Sequence, residues 1–437
     1  MRPQKMAPSH ILIVGMMLVG LSACSGSGGD DDDDSASPTL APTATPMPAV
    51  TWYGDVKPLV DRVCANCHVE GGVGPTVFTE YETASARAAT LAAYVTSGYM
   101  PPKSADPDCR DYQYAERHTL SAEEKALFQQ WADLGAPKGD PATSPVAEPF
   151  EPGLPNANLV VTLPRKHSPT FDESGNEYYC YVVEQGREQT VFLDGFDTLV
   201  DRPEIVHHIV LYKGGWGDET PPENALTDGW ECMNGSIGDW TMIAAWAPGG
   251  GAHTLPDGYG IRLEPNEMLA IQMHYFKSSE NAAMLTDQSG YQLRTRTSVD
   301  KEAYYLAFGG ADFLIPAGDD NYAYDTTFVM PPGYGNLKIF GIFPHMHVLG
   351  KRFDYKVSRG RDEAACILSG EYDFHNQLTY MLREPYEVKP GDTVTFTCTW
   401  DNSAGNPSQQ FSPPVDIVYG ERTQDEMCFG FTIASLE

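Results

Sequence analysis

Two textures of apolar and polar positions divide the chain. Between residues 50 and about 140, apolar side chains recur at helical spacing. Leu127, Phe128, Trp131 and Leu134 follow the capping-box pattern Ser121-Ala122-Glu123-Glu124, and Gly135 with Pro137 then stops the helix. An alanine-rich run over 84–95 predicts a second helix. From about 156 onward, short β-prone runs replace the helical period, at 158–163, 190–193, 205–212, 269–276, 337–343, 353–357 and 393–400. Gly, Pro, Asn and Asp separate them, a spacing that predicts antiparallel sandwiches. The β-rich part is long enough for two. The expected layout is multidomain: a small all-α domain over 50–140, a proline-bearing linker over 141–155, and all-β sandwich domains over 156–299 and 300–437, with the junction in a charged stretch.

The first residues change the picture from a free protein to an exported one. Arg2 and Lys5 form a positive leader, and 11–21 is an apolar run too short for a stable membrane span. The run ends in Leu21-Ser22-Ala23-Cys24, which resembles a lipobox. That resemblance implies a signal peptide over 1–23, lipid on Cys24 and, with Ser25 rather than Asp next, an outer-membrane lipoprotein whose domains lie in the periplasm or at the cell surface. The alternative is an ordinary signal peptide with a chance cysteine. A tether over 24–49, rich in Gly, Ser, Asp and Pro and including the run Asp30 to Asp34, follows as an anchored protein requires. The formal net charge of −31 argues against nucleic acid or anionic lipid as partners.

Cys64-Ala65-Asn66-Cys67-His68 is a C-x-x-C-H motif. Two thiols three positions apart can form thioethers to both vinyl groups of one haem, and the adjoining histidine can reach the iron. A zinc or redox C-x-x-C is the alternative, weakened by the histidine directly after it. The segment resembles class I cytochrome c domains over roughly 90 residues. Such a domain takes a second axial ligand. Met100, in the loop Gly98-Tyr99-Met100-Pro101-Pro102, fits that role, with His118 the other option. The expected cofactor here is one covalently bound haem c, on Cys64, Cys67, His68 and Met100.

Five of the eleven histidines fall in three β-prone contexts: Val206-His207-His208-Ile209, Gln272-Met273-His274-Tyr275 and Pro344-His345-Met346-His347. Side chains at i and i+2 of a strand share one face, roughly 7 Å apart, so His345 and His347 can converge on one metal. Met427 is the candidate third ligand, its soft thioether favouring Cu(I) and leaving a position open for dioxygen. His207 and His208 are neighbours, which face opposite ways on a regular strand. Both reach one metal only if the strand bulges or the rings use different nitrogens. His274 completes that three-histidine set.

At this point the resemblance is to the copper type II monooxygenases, the peptidylglycine α-hydroxylating and dopamine β-monooxygenase family. The His-His pair, Ala245-Trp246-Ala247-Pro248-Gly249-Gly250 followed by Leu255-Pro256, and Gln272-Met273-His274-Tyr275 occur in that family's order. So do the His-x-His-x-x-Gly segment ending at Gly350 and Asp425-Glu426-Met427-Cys428. The resemblance covers 158–437 and implies two jelly-roll-like sandwiches, each with one copper, facing each other across a solvent-filled cleft. It also implies the disulfides Cys180–Cys232 and Cys398–Cys428, leaving Cys109 and Cys366 unassigned.

The departures from that family bear on substrate. Positions that in the peptide-hydroxylating members bind a peptide carboxylate are Phe343, Phe429 and Phe431 here. A buried carboxylate without a cation is costly, so C-terminal glycine peptides are expected to be poor substrates. The three rings suit a small apolar or aromatic molecule, and equally suit ordinary core. The expected activity is copper-dependent hydroxylation of a C–H bond with O2. Electrons come through the fused haem from a periplasmic donor, or from ascorbate. The rivals are a non-catalytic haem and copper redox or copper-handling protein, and a cytochrome-fused carbohydrate-binding sandwich. His253 and His375 lie near motif segments and read equally as metal-supporting or as surface residues.

Overall fold

The computed structural model describes residues 50–70, 74, 76–145, 153–173, 175–184, 186–232, 239–248, 250–277, 280–360, 362–420 and 422–437. The leader, Cys24 and the tether lie outside these residues.

The segment from 50 to 145 is helical. A helix spans 52–64, followed by Tyr81–Ala86, Ala88–Thr96 and Ala122–Asp133. The capping box forms as the sequence predicts: the Ser121 hydroxyl accepts from the Glu124 N–H while the Glu124 carboxylate accepts from the Ser121 N–H. The alanine-rich run is divided at Arg87, whose backbone leaves helical values. Phe128 and Trp131 are buried against Trp52, Val60, Leu91 and Val95. Leu134 is not part of that core. The helix ends at Asp133, and Leu134, on the terminating turn, stands 55% exposed.

Among the described residues twenty strands follow. The first ten are β1 Leu159–Thr162, β2 Asn176–Glu184, β3 Val191–Leu199, β4 Val206–Gly214, β5 Trp230–Glu231, β6 Thr241–Trp246, β7 His253–Thr254, β8 Tyr259–Leu263, β9 Met268–Phe276 and β10 Gly290–Arg296. The second ten are β11 Lys301–Gly309, β12 Leu314–Ile315, β13 Tyr322–Val329, β14 Leu337–His345, β15 Gly350–Ser358, β16 Ala365–Glu371, β17 Tyr380–Val388, β18 Thr393–Trp400, β19 Ile417–Val418 and β20 Phe429–Leu436.

The sheets are not divided at residue 300. One sheet runs β1-β10-β3-β8-β11-β20-β14-β17, with β7 beside β3, so it passes through both halves. The joint is β11, which pairs in parallel with β8 through Lys301, Glu302 and Ala303 and antiparallel with β20. This parallel ladder departs from the expected all-antiparallel arrangement. It covers what would otherwise be two open sheet edges. A five-stranded sheet, β5-β2-β9-β4-β6, backs the first half, and a four-stranded sheet, β13-β18-β15-β16, backs the second. The first core packs Leu193, Ile209, Ile271 and Tyr291 together, and Phe340 and Ile433 from the second half join it. The second core centres on Phe353, Tyr355, Phe396 and Trp400.

The helical segment is fastened to the second half. Cys109 and Cys366, the two cysteines the sequence left unassigned, are bonded to each other across 257 residues. Cys180–Cys232 and Cys398–Cys428 form as the family resemblance implies. Beside the first bridge, Ala105 pairs with Gly370 and Tyr112 with Leu382, and the Tyr112 ring is buried in the second core. Gly370 is required at this seam, because a Cβ there would stand 2.6 Å from the Ser104 carbonyl oxygen. Arg383 pairs with Asp111 and Glu116 at the exposed rim, where ion pairs add little.

Candidate metal centres

β4 and β9 are adjacent in the five-stranded sheet, with His208 directly opposite His274. The register slips between Val206 and His208, so His207 sits in a bulge. That bulge removes the strand alternation which would have sent His207 and His208 to opposite faces. The Nδ1 atoms of His207 and His274 each lie 3.3 Å from Nδ1 of His208. One ligand atom from each of the three residues lies within 4.8 Å of the others. Metal–nitrogen bonds of about 2.0 Å in tetrahedral geometry set ligand nitrogens about 3.3 Å apart, so the Nδ1 atoms have a spacing that suits one ion.

The opposite ring nitrogens are held by the protein. His274 Nε2 lies 2.7 Å from the Asn176 side-chain oxygen, and His207 Nε2 lies 3.2 Å from His375 Nδ1. Such outer contacts fix the tautomer and aim the ring. The Tyr178 ring stacks on His274 at 4.1 Å. Burial drives the His207 pKa down to about 3, with the neighbouring His375 adding to the effect. Burial also pushes His208 and His274 well below the usual imidazole range, and the other histidines of the two sets add to this. The rings are therefore neutral at pH 7, the form that binds a metal without first losing a proton.

His345 ends β14, and His347 lies two residues on, beyond the strand. The pleat alone therefore does not set their convergence, as the sequence reading supposed. Their ring centroids are 5.2 Å apart and nearly perpendicular. Two neighbours that the sequence reading did not single out hold them. Gln377 Oε1 lies 2.7 Å from His345 Nδ1, and the Asp425 carbonyl oxygen lies 3.0 Å from His347 Nδ1. Both contacts leave Nε2 free to coordinate. Glu426 sets the turn between them: its buried carboxylate accepts from the backbone N–H groups of His347, Leu349 and Met427 and from the Trp400 indole. Burial raises the Glu426 pKa to about 7 against these bonds. Met427, next in the chain, lines the same cavity as His345 and His347.

That cavity holds about 290 Å³ and also receives His208. One member of the three-histidine set thus faces the space that His345, His347 and Met427 line. Phe343, Phe429 and Phe431 form one wall, with ring centroids 6.0 Å apart for Phe343–Phe431 and 5.5 Å for Phe429–Phe431. Tyr178, Met242 and Trp246 also line it. Among the described lining residues there is no Lys, Arg, Asp or Glu.

Cys64, Cys67, His68 and Met100 line a second cavity, of about 590 Å³, within the range of cofactor sites. His68 Nδ1 lies 2.8 Å from the Thr76 carbonyl oxygen, so its N–H donates there and Nε2 is left for a ligand. A Cβ at Gly74 would stand 2.5 Å from the His68 ring, so glycine keeps room for that orientation. The donor set and the cavity fit a haem. His118, the other candidate for its second axial position, lines a separate small cavity with Asn66 and Arg117. His375, Asn376 and Pro248 from the β-rich part complete the wall of the larger cavity. His253 is buried against Phe196 on β3 and touches neither metal set, whereas His375 reaches both His207 and this cavity.

Family comparisons agree with this arrangement. The N-terminal domain model of the copper type II ascorbate-dependent monooxygenases matches residues 163–282, and the C-terminal domain model matches residues 314–433. Together they take in more than half of the chain. DBH-like monooxygenase protein 1 of Mus musculus is 22% identical over 303 residues, covering 64% of this chain and 45% of the relative. DBH-like monooxygenase protein 2 of Mus musculus is 26% identical over 254 residues, covering 53% and 38%. MOXD1 homolog 1 of Drosophila melanogaster is 22% identical over 296 residues, covering 60% and 40%. The chain thus spans less than half the length of these curated relatives. With both halves of the family matched in order, and both histidine sets inside the matched segments, the chain belongs to the copper type II ascorbate-dependent monooxygenase family.

Proposed function

We propose that the protein is a lipid-anchored copper monooxygenase that hydroxylates a C–H bond of a small apolar or aromatic molecule. One oxygen atom of O2 enters the substrate and the other leaves as water, with two electrons and two protons consumed. The observation that carries this reading is the shared cavity lined by His208, His345, His347 and Met427. His207, His208 and His274 hold one copper through Nδ1, and His345, His347 and Met427 hold the other. Copper, when bound, supplies one-electron chemistry toward dioxygen at the methionine-containing set and a second electron from the three-histidine set.

The remaining work is done by the chain. Asn176, Gln377 and the Asp425 carbonyl aim the imidazoles, and Glu426 fixes the turn that presents His347 and Met427. The wall formed by Phe343, Phe429 and Phe431 excludes water and accepts an apolar molecule. The described lining residues include no cation to pair with a peptide carboxylate, and the three phenylalanine rings carry no hydrogen-bond donor for it.

The helical domain is read as a class I cytochrome c, its haem bonded to Cys64 and Cys67 and ligated by His68 and Met100. A c-type haem with His and Met ligands supplies electron transfer at a raised potential. The donor to this domain is a periplasmic carrier, with ascorbate as the family's own reductant. Cys24 carries the lipid that anchors the protein to the outer membrane. The test is incorporation of labelled dioxygen by the copper-loaded protein. Small aromatic and aliphatic compounds are expected to gain one labelled atom, while glycine-extended peptides gain none. Efficient peptide hydroxylation, or no labelled product from any compound class, would refute the proposal.

A further inference from the structure

We propose that His375 is the electron relay between the haem cavity and the three-histidine cluster. This inference rests on the reading that haem delivers electrons to copper. Residues 373–377, Asp-Phe-His-Asn-Gln, connect β16 to β17. Four consecutive side chains in this stretch reach different parts of the redox machinery. The Phe374 ring lies 5.0 Å from that of His207 and 6.4 Å from that of His347. His375 Nδ1 lies 3.2 Å from His207 Nε2, and His375 also lines the haem cavity. Asn376 lines that cavity and donates to the Lys103 carbonyl oxygen at 2.8 Å, tying the stretch to the loop that carries Met100. Gln377 holds His345.

The nitrogen assignments give this contact a direction. The Nδ1 atoms of the cluster face one another, so a copper ion there leaves His207 with its Nε2–H. That N–H donates to His375 Nδ1. The path from the haem cavity to a copper ligand is then one imidazole and one hydrogen bond, without a gap across open space. Pro248 also lines the haem cavity, but it is saturated and contacts no ligand ring that the structure records. Gln377 reaches the other copper set but does not line the haem cavity. The route therefore enters at the three-histidine cluster. One electron leaves ferrous haem, which becomes ferric, and one reaches Cu(II), which becomes Cu(I). No atom is transferred, and the His207–His375 proton stays on its donor.

The experiment uses the full chain loaded with haem and two copper ions. Under anaerobic conditions a photosensitiser reduces the haem in a flash, and its absorption band is followed as it re-oxidises. Copper content and the copper electron paramagnetic resonance spectrum are measured on the same samples. Wild-type haem is expected to re-oxidise at a rate independent of protein concentration. In His375→Phe that rate falls at least about tenfold, with both coppers retained. His375→Gln, whose side-chain oxygen can still accept from His207 Nε2–H, recovers part of the rate. An unchanged rate in His375→Phe would overturn the relay and leave haem delivery standing by another path. Loss of copper from the cluster in both variants would make His375 a support for its ligand and would equally overturn the relay. Absence of haem re-oxidation in wild type would overturn delivery itself, and the relay with it.

Discussion

Replacing Met427 with alanine is expected to lower hydroxylation at least about a hundredfold, because partners outside the ligand shell already carry roughly 10–100-fold effects and this residue is read as a ligand itself. The physical reason is the open position. His345 and His347 still present Nε2 to a metal, since Gln377 and the Asp425 carbonyl hold their Nδ1 atoms. Two imidazoles without the thioether lose the soft donor that favours Cu(I). The three-histidine cluster is untouched by this change, with His274 still held by Asn176, and should keep its copper. Product formation and copper content, measured together, check this: turnover collapses while copper falls from two ions per chain toward one. Turnover within about threefold of wild type, well short of even the smallest of these effects, would mean that Met427 is a wall residue.

The second large effect is expected at the haem. A Cys64→Ser/Cys67→Ser double substitution removes both thioether positions while leaving His68 and its contact with the Thr76 carbonyl in place. Haem should then be extractable with acid and solvent, where the wild-type haem stays on the chain. Turnover driven by a protein donor should fall at least about a hundredfold, the low end of what tethering a donor to its target provides. Turnover driven by ascorbate should persist, because the copper ligands are untouched. Donor-driven turnover equal to wild type would show that electrons bypass the haem. Firmly retained haem in the double variant would show that Cys64 and Cys67 do not bind it.

The features that carry most of this chemistry are short-range in sequence, and those were readable. The Ser121 capping box, the C-x-x-C-H motif and the His207-His208 pair, for which a bulge was one of two ways to share a metal, each follow from a few adjacent residues. What could not be read depends on which distant segments meet. Gln377 is an unremarkable glutamine until β14 and the 373–377 stretch are packed together. Asn176 gains its role only because β2 lies beside β9. Cys109 and Cys366 could not be paired because nothing local records the docking of the helical segment on β16. The parallel β8–β11 joint was missed because three paired residues leave no periodic signature. Glu426 was the nearest miss: an acidic residue beside Met427 was in view, but its burial and four donors belong to the folded state. The three phenylalanines were legible as residues, and only the fold decides that they line the cavity rather than fill the core.

Copper K-edge X-ray absorption on the reduced, fully loaded protein tests the two ligand sets most directly. The expected spectrum contains nitrogen neighbours at about 2.0 Å and a sulfur neighbour at about 2.3 Å, with the sulfur contribution lost in Met427→Ala. A wild-type spectrum with nitrogen and oxygen neighbours alone, or a sulfur contribution that survives that substitution, would contradict a copper site made by His345, His347 and Met427.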